Sequence, residues 1–393
     1  MKLVFLTSLV PVKNPKSGYD IANRVVVDGL LSLGIKVKII GYLTPGETPA
    51  YPQDTIILDD LEVTNSKVGK SQKIKWLMKA FTTQTPVSVA KMLQTSPQDI
   101  QSALNACRPY DGLFLNSVQL PGAFIEQFGK DEFVFLAHNV ESASAYKNAL
   151  NASNPLSSFL FKREAKQLEK LEARLCQEAK HVFTLADADR AGLKVEDKSS
   201  YLPLVTKFDL PNVVTNTKPK YDLGMIGSWS WAANRSGLDW FLEEVAPQIP
   251  ELKIAIAGNI SNIPADAPDN VEFLGRVDDA TEFVNSCKII PLISREGTGV
   301  QLKTIETFEM GLPTVATKSS LRGINQLPQN CVIANDGDTF AAALTEMIDK
   351  ARSGDQLKLD GKDFHRAQLS QLLKSLELGV KHFDVSQKEL QPS

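Results

Sequence analysis

Between Lys288 and Ser320 the chain reads KIIPLISREGTGVQLKTIETFEMGLPTVATKSS. The apolar run IIPLI enters a loop with Gly297 and Gly299. A helical pattern follows with Gln301, Lys303 and Glu306 on its first turns, and then a second short apolar run, TVAT. Small residues where a strand meets a helix let a ligand approach the backbone, and unbonded N–H groups at a helix start favour negative charge. The chemistry is that of a phosphate site. Taken alone, Lys303 and Glu306 also read as an ordinary helix pair at i, i+3. Further polar or glycine positions close other apolar runs: Gly227 and Ser228 after DLGMI, Gly258 after IAIA, Gly275 and Arg276 after VEFL, and His138 directly after FVFLA.

The elements that must carry these residues alternate. KLVFLTS, KVKIIGY, TIILDD, DGLFLNS, FVFLAHN and HVFTLAD recur in the first half, with helical stretches between them. DLGMIGS, LKIAIAG, VEFLG, KIIPLIS and TVAT do the same in the second. Each half therefore reads as a doubly wound parallel sheet of the α/β class, and 393 residues suit two such domains. The segment PLVTKFDLPNVVTNTKPKYD lacks helical periodicity and places the boundary near Thr215 to Lys220. The expected division is 1–217, 218–375 and a tail, 376–393, packing back on the N-terminal domain. In such sheets ligands gather at the carboxyl ends of strands, and two facing sheets make a cleft.

Totals exclude several classes. The 43 basic and 46 acidic residues give a net charge of -3, against a protein built for the nucleic-acid backbone. Four cysteines lie far apart without metal or disulfide spacing, which fits a reducing cytoplasm. MKLVFLTSLVPV has one basic residue and no small-residue cleavage site, so it reads as a first buried strand rather than a signal peptide. No run approaches a membrane span. Neither a Gly-x-Gly-x-x-Gly after the first strand nor a P-loop occurs, so nicotinamide dehydrogenase and P-loop kinase readings lose their main support. Asp187 and Asp189 in LADADRAG open a helix, where capping and the helix dipole account for both acids without a metal. The tryptophans of GSWSWAANRSGLDW read as packing and Asn234 as an N-cap.

The order GSxxWxxNxxGxxWFxxEVxP, IAGN, VEFLGRVDD and PLxxxxGTGVQLKTIETFEMGLPTVAT resembles the retaining glycosyltransferases of the GT-B fold, family 4, also called glycosyl transferases group 1. SGYDIANRVVVDGLLSLGIKVKII and HNVESASAYKNAL resemble the same family in the first half. The resemblance implies two Rossmann-like domains facing across a cleft and a nucleotide diphosphate sugar as donor substrate, with no cofactor and no metal. Glu306 would accept hydrogen bonds from the ribose hydroxyls. The N–H groups of Gly297, Thr298, Gly299 and Val300, with Lys303 or Arg235, would steady the departing diphosphate, and Gly275, Arg276 and Val277 would edge the base. Gly227, Ser228 and Gly258 would line the donor site, Ser17 and Gly18 would approach the diphosphate from the other domain, and His138 would orient the diphosphate or the acceptor hydroxyl. Glu141 would hold His138 or cap a helix. Three places depart from the family pattern: one glycine, Gly18, stands where a pair is frequent; Thr298 stands where the first glutamate of Glu-x7-Glu is expected, so that either Glu296, two residues earlier, reaches the sugar through a longer loop or backbone holds the donor; and Gln301 stands where Arg is frequent. Part of the phosphate charge must then be met elsewhere.

The implied partners are a nucleotide sugar and a glycan or lipid-linked acceptor of surface polysaccharide, lipopolysaccharide or glycolipid assembly, with no nucleic acid. NSKVGKSQKIKWLMKAF and FLFKREAKQLEKLEARL place lysines beside aromatics, as a solvated helix face does and as peripheral contact with an anionic membrane would require. Two alternatives stay open: a catalytically impaired homologue that acts as a binding subunit, and a sugar-nucleotide epimerase.

Overall fold

A computed structural model describes the chain except for residues 65–66, 129–130, 211–218, 261, 298 and 384–393 and the side chains of 232 and 233. It divides into two compact units, Met1–Phe208 with Leu369–Ser393, and Asp209–Gln368. The boundary segment expected at 215–220 and the donor-loop residue Thr298 fall wholly or partly outside the described residues.

The first unit holds a seven-stranded parallel sheet: β1 (Lys2–Leu9), β2 (Lys36–Leu43), β3 (Thr55–Asp60), β4 (Gly112–Asn116), β5 (Phe133–Ala137), β6 (His181–Thr184) and β7 (Ser199–Tyr201). Their order is β3-β2-β1-β4-β5-β6-β7. The central strands are apolar on both faces because helices cover both sides, and Phe5, Leu6, Phe114, Leu115, Phe135 and Leu136 are almost wholly buried. β3 lies at an edge, and there Ile57 remains exposed. The chain winds outward from β1 through β2 and β3, then crosses to the other side of β1 for β4. The carboxyl ends of β1 and β4 are thus the point where this fold leaves a crevice.

The helix Gly18–Ser32 follows β1. Ser17 caps it in a capping box: its hydroxyl accepts from the Asp20 N–H, and the Asp20 carboxylate accepts from the Ser17 N–H. Gly29 on this helix makes room for the late part of the long helix Gly361–Val380, where a Cβ would lie 2.7 Å from Leu376 Cδ1. Gly112 likewise gives up its side chain to the ring of Phe383. The C-terminal segment from Leu369 to Phe383 is therefore part of the first unit's packing.

The second unit holds a six-stranded parallel sheet: β8 (Tyr221–Ser228), β9 (Ile254–Asn259), β10 (Val271–Gly275), β11 (Cys287–Leu292), β12 (Thr314–Ala316) and β13 (Cys331–Ile333), in the order β10-β9-β8-β11-β12-β13. Its crevice lies at the ends of β8 and β11. The core gathers Leu223, Met225, Trp229, Phe241, Ile256 and Phe340. At the β8–β9 pair Gly227 lies opposite Gly258. Gly258 has φ +108°, and a Cβ there would lie 1.9 Å from the Gly227 carbonyl oxygen, so close backbone approach alone requires glycine at this position. The apolar runs of the sequence all become strands. β7 and β13 add to them as sheet-edge strands of three residues each, too short to show a period.

Candidate active site

In the second unit the loop between β11 and the helix Leu302–Glu309 is fastened from below. Ser320 Oγ accepts from the Ser294 N–H (2.8 Å) and donates to the Leu292 carbonyl (2.7 Å), and Thr304 Oγ1 donates to the Ser320 carbonyl (2.7 Å). Thr317 Oγ1 donates to the Ser294 carbonyl. These hydroxyls are buried, and the bonds tie the segment after β12 to the one after β11.

On this base the backbone turns through Gly297 (φ +126°) and Gly299 (φ +68°), both left-handed conformations that favour glycine. The missing side chain of Gly297 is filled by a guanidinium: a Cβ there would lie 2.7 Å from Arg322 Nη2. Arg322 Nε donates to the Gly299 carbonyl (3.2 Å) and Nη1 to the Ser319 carbonyl (2.6 Å). Gln301 is the N-cap residue, but no side chain caps the helix; its amide reaches Ser294 Oγ instead (3.3 Å). An uncapped helix start beside a guanidinium is suited to an anion.

Lys303 stands on the first turn with its ammonium 5.9 Å from the ring centre of Trp229. Burial, and then the charge of Arg322, lower its pKa to about 8. Glu306, one turn on, is exposed. With Trp229, Ile226 and Pro291 the two side chains line a recess of about 40 Å³, room for a water or two. Any larger ligand would lie over this recess rather than within it.

Among the other residues expected in the donor site, Arg235, Gly227 and Gly258 have partners or packing roles of their own. Arg235 is paired with Asp239 (2.6 Å) and donates to the Asn262 carbonyl (2.7 Å), so its charge is already met. Asn234 is not the N-cap, since the helix begins at Ala232; its amide donates to the Ser228 carbonyl (3.1 Å). Gly227 and Gly258 serve strand packing, as above. Gly275 (φ +67°) has open space where a Cβ would stand, and Arg276 is exposed beside a half-buried Val277. Glu296 sits half-buried in the loop, with its carbonyl bonded by Ser294 Oγ (3.1 Å), and Val300 is half-buried before the helix. Trp229 and Trp240 are packing residues, whereas Trp231 is 61% exposed.

In the first unit His138 closes β5 and meets a buried polar network at the β1–β4 crevice. Its Nε2 lies 2.9 Å from Asn116 Oδ1, and its ring packs against Tyr19 with centres 5.0 Å apart. Asn116 Nδ2 donates to Thr7 Oγ1 (2.9 Å) and Asn23 Oδ1 (2.6 Å). The Tyr19 hydroxyl bonds Thr7 (2.9 Å) and Ser117 (3.1 Å). Burial alone lowers the His138 pKa to about 4, which keeps the imidazole neutral.

Glu141 does not hold His138. It accepts from Gln119 Nε2 (3.1 Å), while its N–H and that of Ser142 donate to Glu172. Burial and the neighbouring Glu172 raise the Glu141 pKa to about 7. Ser17 and the start of the helix after β1 have an occupant of their own, because the Asp20 carboxylate takes the Lys16 and Ser17 N–H groups and would repel a phosphate. Asp187 makes no side-chain cap bond and pairs instead with Arg190 (3.1 Å).

Arg322, Tyr19, Asn23 and Asn116 belong to these two constellations without being singled out by the sequence pattern. Asn116 carried a signal, a polar residue ending the apolar run GLFLN at a strand tip. Arg322, in SSLRGI, carried none, because its closeness to Gly297 arises only from the fold.

Residues 220–350 match the family model described as glycosyl transferases group 1. A sequence search of the curated proteins finds no match. Among solved structures the chain is similar to a sucrose-phosphate synthase from Thermosynechococcus elongatus, with TM-score 0.63 and 13% identity over 99% of this chain and 98% of that one. It is also similar to HepE of Anabaena in complex with UDP-glucose, with TM-score 0.57 and 11% identity over 99% and 100%. A third likeness is to the lipopolysaccharide outer core galactosyltransferase WaaB in its apo form, with TM-score 0.57 and 12% identity over 97% and 99%. At these identities the likeness is one of fold, the GT-B fold of two Rossmann-like domains.

Proposed function

We propose, from the premise that residues 220–350 are a glycosyl transferases group 1 domain in a GT-B glycosyltransferase, that the chain moves a sugar with retention from a nucleotide diphosphate sugar to a glycan or lipid-linked acceptor. The observation that carries this reading is the uncapped start of the helix Leu302–Glu309, with Lys303 on its first turn and the guanidinium of Arg322, from the segment after β12, against the glycine loop before it. Two cations and a helix start can receive the charge that grows on a departing diphosphate. Arg322 supplies the charge that Gln301 does not.

Glu306 accepts from the ribose hydroxyls one turn away. His138 bonds a sugar or acceptor hydroxyl through the ring nitrogen that does not face Asn116. Retention follows by attack on the same face that the diphosphate leaves, with the diphosphate oxygen taking the acceptor proton. In this scheme the protein orients both substrates and stabilises charge; it forms no covalent bond to the sugar. The similar HepE is in complex with UDP-glucose, and uridine diphosphate sugars are the first donors to try.

Transfer or acceptor-free hydrolysis of such donors tests the reading. In Glu306→Ala, affinity for uridine diphosphate should fall by about 1.5–3 kcal/mol, the worth of hydrogen bonds to a charged acceptor. Thermal unfolding should not change, because Glu306 is exposed. Unchanged calorimetric affinity would remove Glu306 from the site.

The acceptor side of the proposal is a membrane surface, and its place of action the inner face of that membrane. Ile74, Met78 and Phe81 on the helix Lys70–Thr82, and Leu156 and Phe159 on the helix Pro155–Glu178, are exposed apolar side chains beside Lys70, Lys73 and Lys75. Apolar insertion with lysines at the headgroups suits an anionic bilayer. No helix among the described residues is long and apolar enough to cross a membrane. The protein should co-sediment with phosphatidylglycerol vesicles and much less with phosphatidylcholine vesicles; equal recovery in the two pellets would refute a charge-dependent contact.

A further inference from the structure

We propose that Asn116, itself held by Asn23, is a positioning residue that fixes His138 as the Nε2–H tautomer, leaving Nδ1 as a hydrogen-bond acceptor for a substrate hydroxyl. The proposal rests on the reading of His138 as part of the site. The chain of bonds that leads to His138 begins with a member of only one possible polarity. Asn23 Nδ2 donates to the Leu9 carbonyl (2.9 Å), and a carbonyl can only accept. The other end of that amide, Oδ1, must then be the oxygen. It lies 2.6 Å from Asn116, so the atom facing it is the Asn116 Nδ2. Turning Asn116 over would set two oxygens at that distance, deep in the sheet, and would leave Thr7 Oγ1 facing an oxygen as well. The remaining Asn116 atom, Oδ1, therefore faces His138, and the ring nitrogen 2.9 Å away carries the proton. In a neutral imidazole the second nitrogen is then bare.

The relay has little freedom to rearrange. Thr7, Asn23 and Asn116 are fully buried, and each belongs to a different element: β1, the helix Gly18–Ser32 and β4. Asn116 pairs in register with Thr7 on one side and Leu136 on the other, so the sheet itself sets where its amide points. His138 stands two residues beyond Leu136. No charged side chain contributes to its lowered pKa, and the carboxyl next along the chain, Glu141, is bonded to Gln119 instead. Tyr19 meets the ring by its face rather than through its hydroxyl. The tautomer is thus set by a neutral amide and not by a charged side chain. His138 is cast as an acceptor from a hydroxyl and not as a proton donor to phosphate.

Long-range nitrogen–proton spectra of the uniformly nitrogen-15-labelled protein test this directly, with the His138 signals assigned by their loss in His138→Gln. The expected pattern at pH 7 is a proton-bearing Nε2 and a bare Nδ1, retained down to pH 5. A proton on Nδ1, or an imidazolium at pH 7, would overturn the proposal. In Asn116→Ala the two tautomers should mix, and kcat should fall at least tenfold while affinity for uridine diphosphate stays within twofold. A folded Asn116→Ala protein that keeps the single wild-type tautomer would also overturn it. Should that variant not fold, the wild-type spectrum decides. The spectrum needs no turnover, so a protein that transfers no sugar would sink the proposed function while the tautomer is still read.

Discussion

His138→Ala is expected to lower kcat by about 10²–10³-fold while leaving affinity for uridine diphosphate within about twofold, as for a group whose hydrogen bond strengthens only as the reaction proceeds. Its bonded partner is Asn116, within the first unit. The loss should therefore be in turnover and not in nucleotide binding. The pH profile supplies an independent check. Because burial holds the His138 pKa at about 4, the ring stays neutral from pH 8 to pH 5, and His138 should add no acid limb near the ordinary histidine value of about 6.5. Steady-state kinetics and calorimetry of the same variant decide the matter. Wild-type turnover in His138→Ala would leave the first unit without a part in catalysis.

Lys303→Met is expected to weaken uridine diphosphate binding about 10- to 150-fold at pH 7, the range spanned by about 1.5–3 kcal/mol for hydrogen bonds to a charged group. The wild-type affinity should itself depend on pH. With its pKa lowered to about 8, Lys303 is cationic below that value and loses its charge as pH rises through it. A bound diphosphate favours the ammonium and raises its pKa, so binding takes up a proton in that window. Affinity should then fall by up to about tenfold per pH unit above 8, as linkage requires. Lys303→Met should show no such slope, and the gap between the two proteins should close at alkaline pH. Calorimetry at pH 8.5 in buffers of different ionisation enthalpy would detect the proton. A pH-independent wild-type affinity would mean that Lys303 does not meet the diphosphate.

The contrast between Gln301 and Arg322 shows how far one-dimensional reading reaches. At Gln301 the sequence displays a missing charge at a phosphate-type helix start, and nothing nearby restores it. The restoring guanidinium lies 25 positions after the glycine it fills, at a distance set by the Ser294–Thr317–Ser320 bonds. Ser17 makes the opposite case. Its place at a helix start after the first strand invites a ligand role, but the carboxylate three residues on turns the same geometry into a capping box. Arg235 is similar, since the acid one turn along its own helix already neutralises it.

What the sequence by itself determined is what local pattern encodes. Apolar runs of strand length, alternating with helical stretches, specified two parallel sheets, because strands covered on both faces must be apolar throughout. Glycines and a polar helix start after a buried strand marked the end of the second sheet where the proposed anion site lies, because small residues and a helix start leave backbone N–H groups open. Residues 220–350 also carry the pattern of the glycosyl transferases group 1 model. Tertiary structure alone decided which polar groups meet. Asn23, Asn116 and His138 come from a helix and two strands of the first unit, Arg322 reaches back to Gly297, and the segment from Leu369 rejoins the first sheet to pack on Gly29 and Gly112. The physical reason is common to all of them. Hydrogen-bond direction, burial and the lowered pKa of a lysine or histidine depend on distances between residues far apart in the chain, and no spacing along the sequence carries those distances.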